Sequence, residues 1–308
     1  MAHVANGKGL GWLRDLPDFR DFTPEKEELS EKHKARGQKK SVRTMLAEAS
    51  VAAPLAADKL PTASVSLRPY FSPVEDQGAL GSCTANAGVG LVEYFERRAF
   101  GSHIDASRLF LYKATRDLLH WTGDTGAHLR STMQALVLFG VPPEEYCGYV
   151  IANFDVEPSA FCYAFAANYQ TLTYYRYDPP GTTKPKLLDR IKTNIAAGLP
   201  SMFGFTVYSS YNQTNSNGGA FPFPTAGENV VGGHAVVAMG YDDGKQITNA
   251  SPGGPTTTGA LQIRNSWGTG WGDGGYGWLP YDYVLKGLAV DWWSLLKQEW
   301  IDTGKFKL

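Results

Sequence analysis

The sequence has little of three features that mark particular protein classes: cysteine, long apolar runs and net charge. Its 308 residues include three cysteines, Cys83, Cys147 and Cys162, which excludes a disulfide-rich scaffold and gives no spacing typical of structural zinc. No apolar run reaches the roughly 18 residues of a membrane-spanning helix. The 29 basic and 30 acidic residues nearly cancel, so neither nucleic acid nor an anionic membrane attracts the chain. We therefore expect no nucleic acid, membrane or metal partner.

A secretory signal is also missing from the first residues, which contain no apolar stretch of about 7–15 residues. The location is therefore left open between the cytoplasm and export by a non-standard route. Glycine and aromatic residues are abundant instead, with 34 glycines and 13% aromatics in a chain that is 43% hydrophobic. This composition is typical of a globular protein with a substantial core, many turns and short strands.

The first part of the chain differs in composition from the remainder. Residues 9–22 are aromatic and charged, residues 25–48 carry mixed charge, and residues 49–61 are rich in alanine between two prolines. Such a change indicates a domain boundary after an exposed linker. We predict an N-terminal regulatory region with its linker over residues 1–59 and a globular domain over residues 60–300.

Within the globular domain, helical periodicity comes first and strand-like runs follow, an order that indicates an α+β protein with two lobes. We place a helical lobe at roughly residues 75–165 and a β lobe at roughly residues 166–290. The predicted helices span residues 83–98, 105–119 and 127–139, the predicted strands span 199–207, 234–241 and 260–264, and the predicted loops span 211–233 and 242–259.

Three separated segments carry the residue types of nucleophilic catalysis. Cys83 follows a glycine-punctuated loop and opens a helix, where unpaired backbone N–H groups lower the pKa of a thiol. His234 begins an apolar strand, and Asn265 ends another. Each residue alone is more often structural, but together they supply a nucleophile, a base and a group that orients the base.

These segments contain motifs of a known family. Gln77 precedes GSC at residues 81–83, GHAV occupies residues 233–236, and RNSWGTGWGDGGYGWLP occupies residues 264–280. Over roughly residues 60–290 the sequence resembles the papain-like cysteine peptidases, in particular their bacterial branch. The resemblance implies a two-lobed fold in which a helical left lobe and an antiparallel β right lobe enclose the active-site cleft.

The resemblance also assigns roles to individual residues. Cys83 would be the nucleophile, His234 its acid–base partner, and Asn265 the residue that orients His234, with Trp267 shielding their hydrogen bond. The side chain of Gln77 and the backbone N–H of Cys83 would form the oxyanion hole. No metal or organic cofactor is implied.

The substrate implied by the family is an extended peptide or protein, and the enzyme is expected to be a monomer. Gly126 and Ala127 match the segment that binds substrate backbone, and Gly233 is a further substrate-binding candidate. Gly126, Ala127 and Gly204 leave room in the matching pocket, which suggests an apolar or aromatic substrate residue at P2, the position before the cleaved residue. Cys147 and Cys162 lie outside the motifs and leave two alternatives, a disulfide or two reduced thiols.

The N-terminal region lies where this family carries a pro-segment. We hypothesise that residues 9–22 pack Trp12, Phe19 and Phe22 on the body and restrict the cleft, with residues 49–59 as a removable tether. The alternative is a docked tail that stabilises the fold or binds a partner.

The function that the resemblance implies is a cysteine endopeptidase that forms a thioester intermediate. Two alternatives stay open at this point. One is a catalytically weak or inactive protein that binds peptides on the same scaffold. The other is an acyltransferase or deamidase that uses the same three catalytic residues.

Overall fold

The computed structural model describes residues 3–25, 29, 31–35, 38–51, 53, 55, 59–60, 62–169 and 173–308. Parts of the mixed-charge stretch and of the alanine-rich linker lie outside the described residues. In chain order the strands are β1 (His3–Ala5), β2 (Lys8–Leu10), β3 (Trp12–Leu13), β4 (Ser64–Ser66), β5 (Ala127–His128), β6 (Thr173–Arg176), β7 (Ser201–Tyr208), β8 (Val230–Thr248), β9 (Thr256–Arg264), β10 (Tyr276–Pro280) and β11 (Ala289–Leu296). The helices are α1 (Glu31–Ala35), α2 (Val42–Glu48), α3 (Cys83–Phe100), α4 (Arg108–Leu118), α5 (Leu129–Phe139), α6 (Ala160–Ala166), α7 (Lys184–Ala196), α8 (Tyr281–Leu285) and α9 (Gln298–Asp302).

The central helix of the helical lobe is α3, which begins at Cys83 as the sequence predicts. Every residue from Cys83 to Phe95 is buried, because α4 and α5 cover one side of the helix and β8 covers another. Gly101 adopts φ +81°, the left-handed conformation that commonly ends a helix. Its first turn therefore presents Cys83 at the boundary between the helical lobe and the sheet.

The β lobe is built on an antiparallel sheet with the strand order β10-β9-β8-β7-β11-β6, to which β4 adds by pairing with β8. His234 on β8 pairs with Phe205 on β7, and Arg264 at the end of β9 pairs with Val237. This register brings the start of the histidine motif close to Asn265, which follows β9. The α+β architecture predicted from the order of helices and strands is confirmed.

Some predicted elements differ from those in the structure. The predicted loop over residues 242–259 is largely a two-stranded ribbon, because β8 continues to Thr248 and β9 starts at Thr256. The hydroxyls of these two threonines lie 2.9 Å apart across the ribbon. Threonine is β-branched and favours extended backbone, a preference that outweighs the glycines and proline of the turn. Helix α7 and strand β11 were not predicted.

The N-terminal region is folded against the body in two places. Strands β1 and β2 form a hairpin, and β3 pairs in parallel with β5 of the helical lobe while also contacting β7 and β8. Helix α2 packs against α9 at a different location. None of the helices that the structure describes has the length and apolar character that crossing a lipid bilayer takes.

Candidate active site

The predicted nucleophile, Cys83, lies in the first turn of α3 and is completely buried. Backbone N–H groups of Ala235 and Gly11 donate to its sulfur, so the sulfur faces both the histidine-bearing strand and the N-terminal segment. The sequence predicts a lowered pKa for this thiol, but burial raises its pKa to about 11. The physical reason is that Gly11 covers the sulfur, and the lost hydration outweighs the backbone N–H groups.

The predicted base, His234, is held by Asn265. Nε2 of the imidazole lies 2.8 Å from Asn265 Oδ1, an oxygen that also accepts the backbone N–H of Ser266 at 2.8 Å. A carbonyl oxygen only accepts, so the ring proton is assigned to Nε2 and the lone pair to Nδ1. Nδ1 has no hydrogen-bond partner among the described residues, which leaves it available to take a proton.

Aromatic rings enclose this pair. The ring of Trp267 stacks on His234 with centroids 4.7 Å apart, and Phe205 meets the imidazole edge-on at 5.9 Å. The shielding role of Trp267 stays a prediction. Burial lowers the pKa of His234 to about 4, although the hydrogen bond to Asn265 opposes that change. The imidazole is therefore neutral near pH 7 in this conformation.

Gln77, predicted to form the oxyanion hole, is buried beside the same cluster. Its Nε2 donates to the carbonyl oxygen of Gly9 at 3.0 Å and to that of Leu80 at 2.7 Å, and its Oε1 accepts from Ser266 Oγ at 2.5 Å. Ser266 thus connects the Gln77 side chain with Asn265. The carbonyl oxygen of Gly9, in the N-terminal segment, therefore accepts from the Gln77 N–H that was expected to bind the oxyanion.

The predicted substrate-binding residues all contact this segment. Ala127 donates its backbone N–H to the carbonyl oxygen of Gly11 at 2.8 Å, and a β-carbon added to Gly126 would lie 2.2 Å from that oxygen. The indole of Trp12 packs on Gly204 and Gly233. A β-carbon added to Gly204 would lie 1.8 Å from the indole ring, and one added to Gly233 would lie 2.8 Å from it. The segment from Gly9 to Trp12 therefore fills the space where a substrate was expected.

Glycine at positions 9 and 11 is required for this approach. A β-carbon at Gly9 would lie 2.2 Å from the carbonyl oxygen of Leu80, and one at Gly11 would lie 1.9 Å from that of Gly81. Any larger residue would push the segment away from the loop that precedes Cys83.

Beyond Trp12 the segment is held by charge. Arg130 of α5 donates to Asp15, to both carboxylate oxygens of Asp21 at 2.8 Å and to the carbonyl oxygen of Leu16. Arg190 pairs with Glu25. At the other end, Lys8 lies 2.5 Å from Asp76.

The aromatic contacts expected of this segment are found for two of the three residues. Trp12 is buried, and Phe22 is partly buried against the core. Phe19 is instead 91% exposed, with the Arg20 guanidinium 5.8 Å from its ring centroid, so the expected packing of Phe19 on the body is wrong. The tight turn at residues 18–21, in which Asp21 accepts the backbone N–H of Asp18, directs Phe19 to solvent.

Sequence reasoning missed Asp291, whose carboxylate meets the Trp12 indole. The signal was a lone charged residue within the apolar run Ala289–Leu296. It also missed Arg130 and Arg176, of which the second lies 3.3 Å from Asp291 and 3.7 Å from Asp21, since nothing local distinguishes them from other arginines.

The two remaining cysteines lie apart from this site. Cys147 and Cys162 are free thiols in the structure, and Cys162 Sγ donates to the carbonyl oxygen of Tyr146 at 3.4 Å. Burial raises the pKa of Cys147, and the neighbouring Cys162 thiol raises it further. A disulfide between them stays a prediction.

Three carboxylates of the helical lobe lie close enough together to resemble a metal site. Glu75, Asp105 and Glu144 bring one oxygen each within 4.8 Å of one another. Arg108 lies 2.9 Å from both Glu75 and Glu144, so a guanidinium already supplies the cation that such a cluster needs. This arrangement is an ion-pair cluster of the helical lobe.

Comparison with known proteins agrees with this geometry. The family model "Papain family cysteine protease" matches residues 62–285. A peptidase C1-like protein of Acanthamoeba polyphaga mimivirus, itself uncharacterized, is 28% identical over 94% of this chain and 86% of its own length. Cathepsin K of Gallus gallus is 27% identical over 67% of this chain and 54% of its own length.

Among solved structures, xylellain, a cysteine protease from Xylella fastidiosa, superposes with a TM-score of 0.70 at 31% identity, covering 94% of this chain and 97% of that one. Procathepsin L 3 of Tenebrio molitor shares the fold at 22% identity with a TM-score of 0.55, covering 78% of this chain and 72% of its own. The chain therefore belongs to the papain family of cysteine proteases.

Proposed function

We propose that the chain is an endopeptidase whose nucleophile is Cys83, and that residues 3–25 hold it in a latent state by filling the cleft. Below, residues 3–25 are called the plug. The observation that carries the latent state is the pair of contacts that the plug makes with catalytic groups. The carbonyl oxygen of Gly9 accepts the side-chain N–H of Gln77, and the backbone N–H of Gly11 donates to the Cys83 sulfur.

These contacts explain why the enzyme would not cut its own plug. Attack by a thiolate needs a carbonyl carbon at the sulfur, with the carbonyl oxygen directed at the oxyanion donors. In the latent state the Cys83 sulfur accepts the backbone N–H of Gly11. The carbonyl oxygen that accepts from Gln77 Nε2 is that of Gly9, two residues before Gly11. The plug therefore binds the catalytic groups without presenting a reactive bond to them.

Burial under the plug also leaves both reacting groups uncharged. The pKa of Cys83 is raised and that of His234 is lowered, so the thiol keeps its proton and the imidazole stays neutral. Departure of the plug would admit water and reverse the cause of both changes. Proton transfer from the sulfur to Nδ1 of His234 would then give the thiolate–imidazolium pair.

The chemical steps follow from this pair. The Cys83 thiolate bonds to the carbonyl carbon of the substrate, and the carbonyl electron pair moves to an oxyanion held by Gln77 Nε2 and the Cys83 N–H. As the carbonyl re-forms, the C–N bond breaks and His234 gives its proton to the departing amine. Water, losing a proton to His234, then attacks the thioester, and the thiol leaves with that proton.

The proposal is tested by labelling the full chain with an epoxysuccinyl thiol reagent and measuring intact mass. We expect slow formation of a single adduct, faster formation in Arg130→Gln, which loosens the plug, and none in Cys83→Ala. Active variants should also cleave an unstructured protein at internal peptide bonds. An adduct that persists in Cys83→Ala, or no adduct on any form, would contradict the assignment of Cys83.

A further inference from the structure

The indole of Trp12 occupies a pocket of defined shape. It is 7% exposed and lies on β7 and β8, where Gly204 and Gly233 have no side chain and leave the space that the ring fills. Any β-carbon at Gly204 would overlap the ring. The walls are therefore shaped for a flat, wide side chain.

At the far end of this pocket lies a buried carboxylate. Asp291 is completely buried, and its Oδ2 accepts the indole N–H of Trp12 at 3.2 Å. Its Oδ1 accepts the indole N–H of Trp293 at 2.7 Å. Departure of Trp12 would leave Oδ2 directed into an empty apolar pocket, and a buried acceptor without a donor is unfavourable.

The backbone is distorted where it places this carboxylate. Asp291 has φ +64°, which a non-glycine residue rarely adopts, and the pairing of β11 with β7 shifts register between Val290 and Trp293. Asp178 holds this conformation by accepting the backbone N–H groups of Asp291 at 2.9 Å and Trp292 at 3.1 Å. Strained residues of this kind concentrate at sites that bind or react.

The charges around Asp291 favour a neutral guest over a cation. Arg176 lies 3.3 Å from Asp291 Oδ1 and also pairs with Asp178 at 2.9 Å. When the plug leaves, it takes Asp15 and Asp21 with it. Arg130 and Arg176 then balance Asp178 and Asp291, so a second cation in the pocket would meet no uncompensated negative charge.

The pocket is adjacent to the reacting sulfur. The backbone N–H of Gly11 contacts Cys83, and Trp12 is the next residue. A side chain in this pocket would therefore belong to the residue beside the one that Cys83 attacks.

From these observations we propose that the pocket vacated by Trp12 selects substrates with tryptophan beside the cleaved residue, and that Asp291 determines this specificity by accepting the indole N–H. This proposal rests on the proposed function, because it needs an active enzyme from which the plug has moved. It goes beyond that function by naming the preferred side chain and the residue that recognises it.

The test uses the full-length Trp12→Ala variant, in which the pocket is empty and the plug has lost its indole anchor. Dipeptidyl acyloxymethyl ketones are matched probes: Cys83 bonds to the methylene carbon and the carboxylate leaves with the electron pair. The probes carry tryptophan, 3-benzothienylalanine, phenylalanine or arginine beside the reactive residue. Benzothienylalanine has nearly the shape of tryptophan but no N–H.

We expect the tryptophan probe to react at least about tenfold faster than the benzothienylalanine probe, because the latter leaves Oδ2 unpaired. Arginine should react more slowly than tryptophan. In Trp12→Ala/Asp291→Asn the ratio of tryptophan to benzothienylalanine should fall at least about threefold, since an amide is a weaker acceptor than a carboxylate. Asparagine is chosen because it tolerates positive φ.

Two results would overturn the inference while leaving the proposed function intact. One is equal reaction with tryptophan and benzothienylalanine, and the other is fastest reaction with arginine. The same probes on Arg130→Gln, which keeps Trp12, give a second measurement should Trp12→Ala fold poorly. If no probe and no small alkylating reagent modifies Cys83 in either variant, the proposed function fails and the inference fails with it.

Discussion

The plug and the stretch from Gln38 to Val51 both precede the catalytic domain, but they bind the body by different means. The plug docks through glycine backbone, the buried side chains of Leu10 and Trp12, the partly buried Phe22 and a set of ion pairs. The second stretch docks through apolar side chains: Met45 and Leu46 of α2 have no exposed surface, and the C-terminal Leu308 donates its N–H to the carbonyl oxygen of Ala49.

From this difference we infer two roles for the N-terminal region. Departure of the plug would expose Leu10 and Trp12 to water, as departure of α2 would expose Met45 and Leu46. The second stretch is in addition covered by α9 and by the C-terminal Leu308, whereas the plug lies in the cleft beside the candidate catalytic residues. We infer that the plug is the removable part and that residues 38–51 belong to the catalytic body. Deleting residues 1–59 as a unit would therefore remove core as well as plug.

The largest expected effect is the loss of stability on shortening a buried leucine of α2, compared with a leucine of the plug. Replacing Leu46 by alanine leaves a cavity in the core and should lower the free energy of unfolding by about 2–5 kcal/mol. The matched change on the plug is Leu10→Ala, at a leucine that is 3% exposed. Because the plug is expected to leave the body before the core unfolds, this change should lower the free energy of global unfolding far less. Urea unfolding of both variants measures the difference. Equal losses would mean that the plug is as much a part of the core as α2.

A smaller effect concerns pH. Burial lowers the pKa of His234 from 6.5 to about 4, so between these values the unfolded chain binds a proton that the folded chain does not. Stability should therefore fall as the pH drops from 7 to 5, by about 2 kcal/mol from this group alone. The fall should shrink in His234→Gln, and also in a chain without the plug, where the imidazole is less buried. An unchanged pH dependence in His234→Gln would contradict this account.

The candidate catalytic residues could be named from the sequence because their signals are local. Cys83, His234 and Asn265 each lie in a short motif, and the elements that bring them together follow from the same motifs. The latent geometry could not be predicted in the same way. The hydrogen bond between Trp12 and Asp291 joins residues 279 positions apart, and it depends on a register shift in β11 whose local signal, one charged residue in an apolar run, does not reveal the partner.

The packing of α2 into the body could not be predicted from the sequence either. Seven residues with mixed charge on either side are typical of an exposed helix, but α9 packs against α2, whose Val42, Met45 and Leu46 are buried. The pKa of Cys83 illustrates the same limit. The start of a helix lowers the pKa of a thiol, but the sequence does not show that Gly11 lies over the sulfur.

The most direct test compares the rate at which an epoxysuccinyl reagent modifies Cys83 in the full chain and in a chain that begins at Gln38. This start keeps the contacts of Gln38 with Thr173 and of Lys40 with Asp302, and it keeps α2. The account predicts a rate at least about 100-fold higher without the plug, equivalent to about 2.7 kcal/mol in favour of docking, with cooperative unfolding retained. Equal rates in two folded proteins would show that residues 3–25 do not restrict the active site.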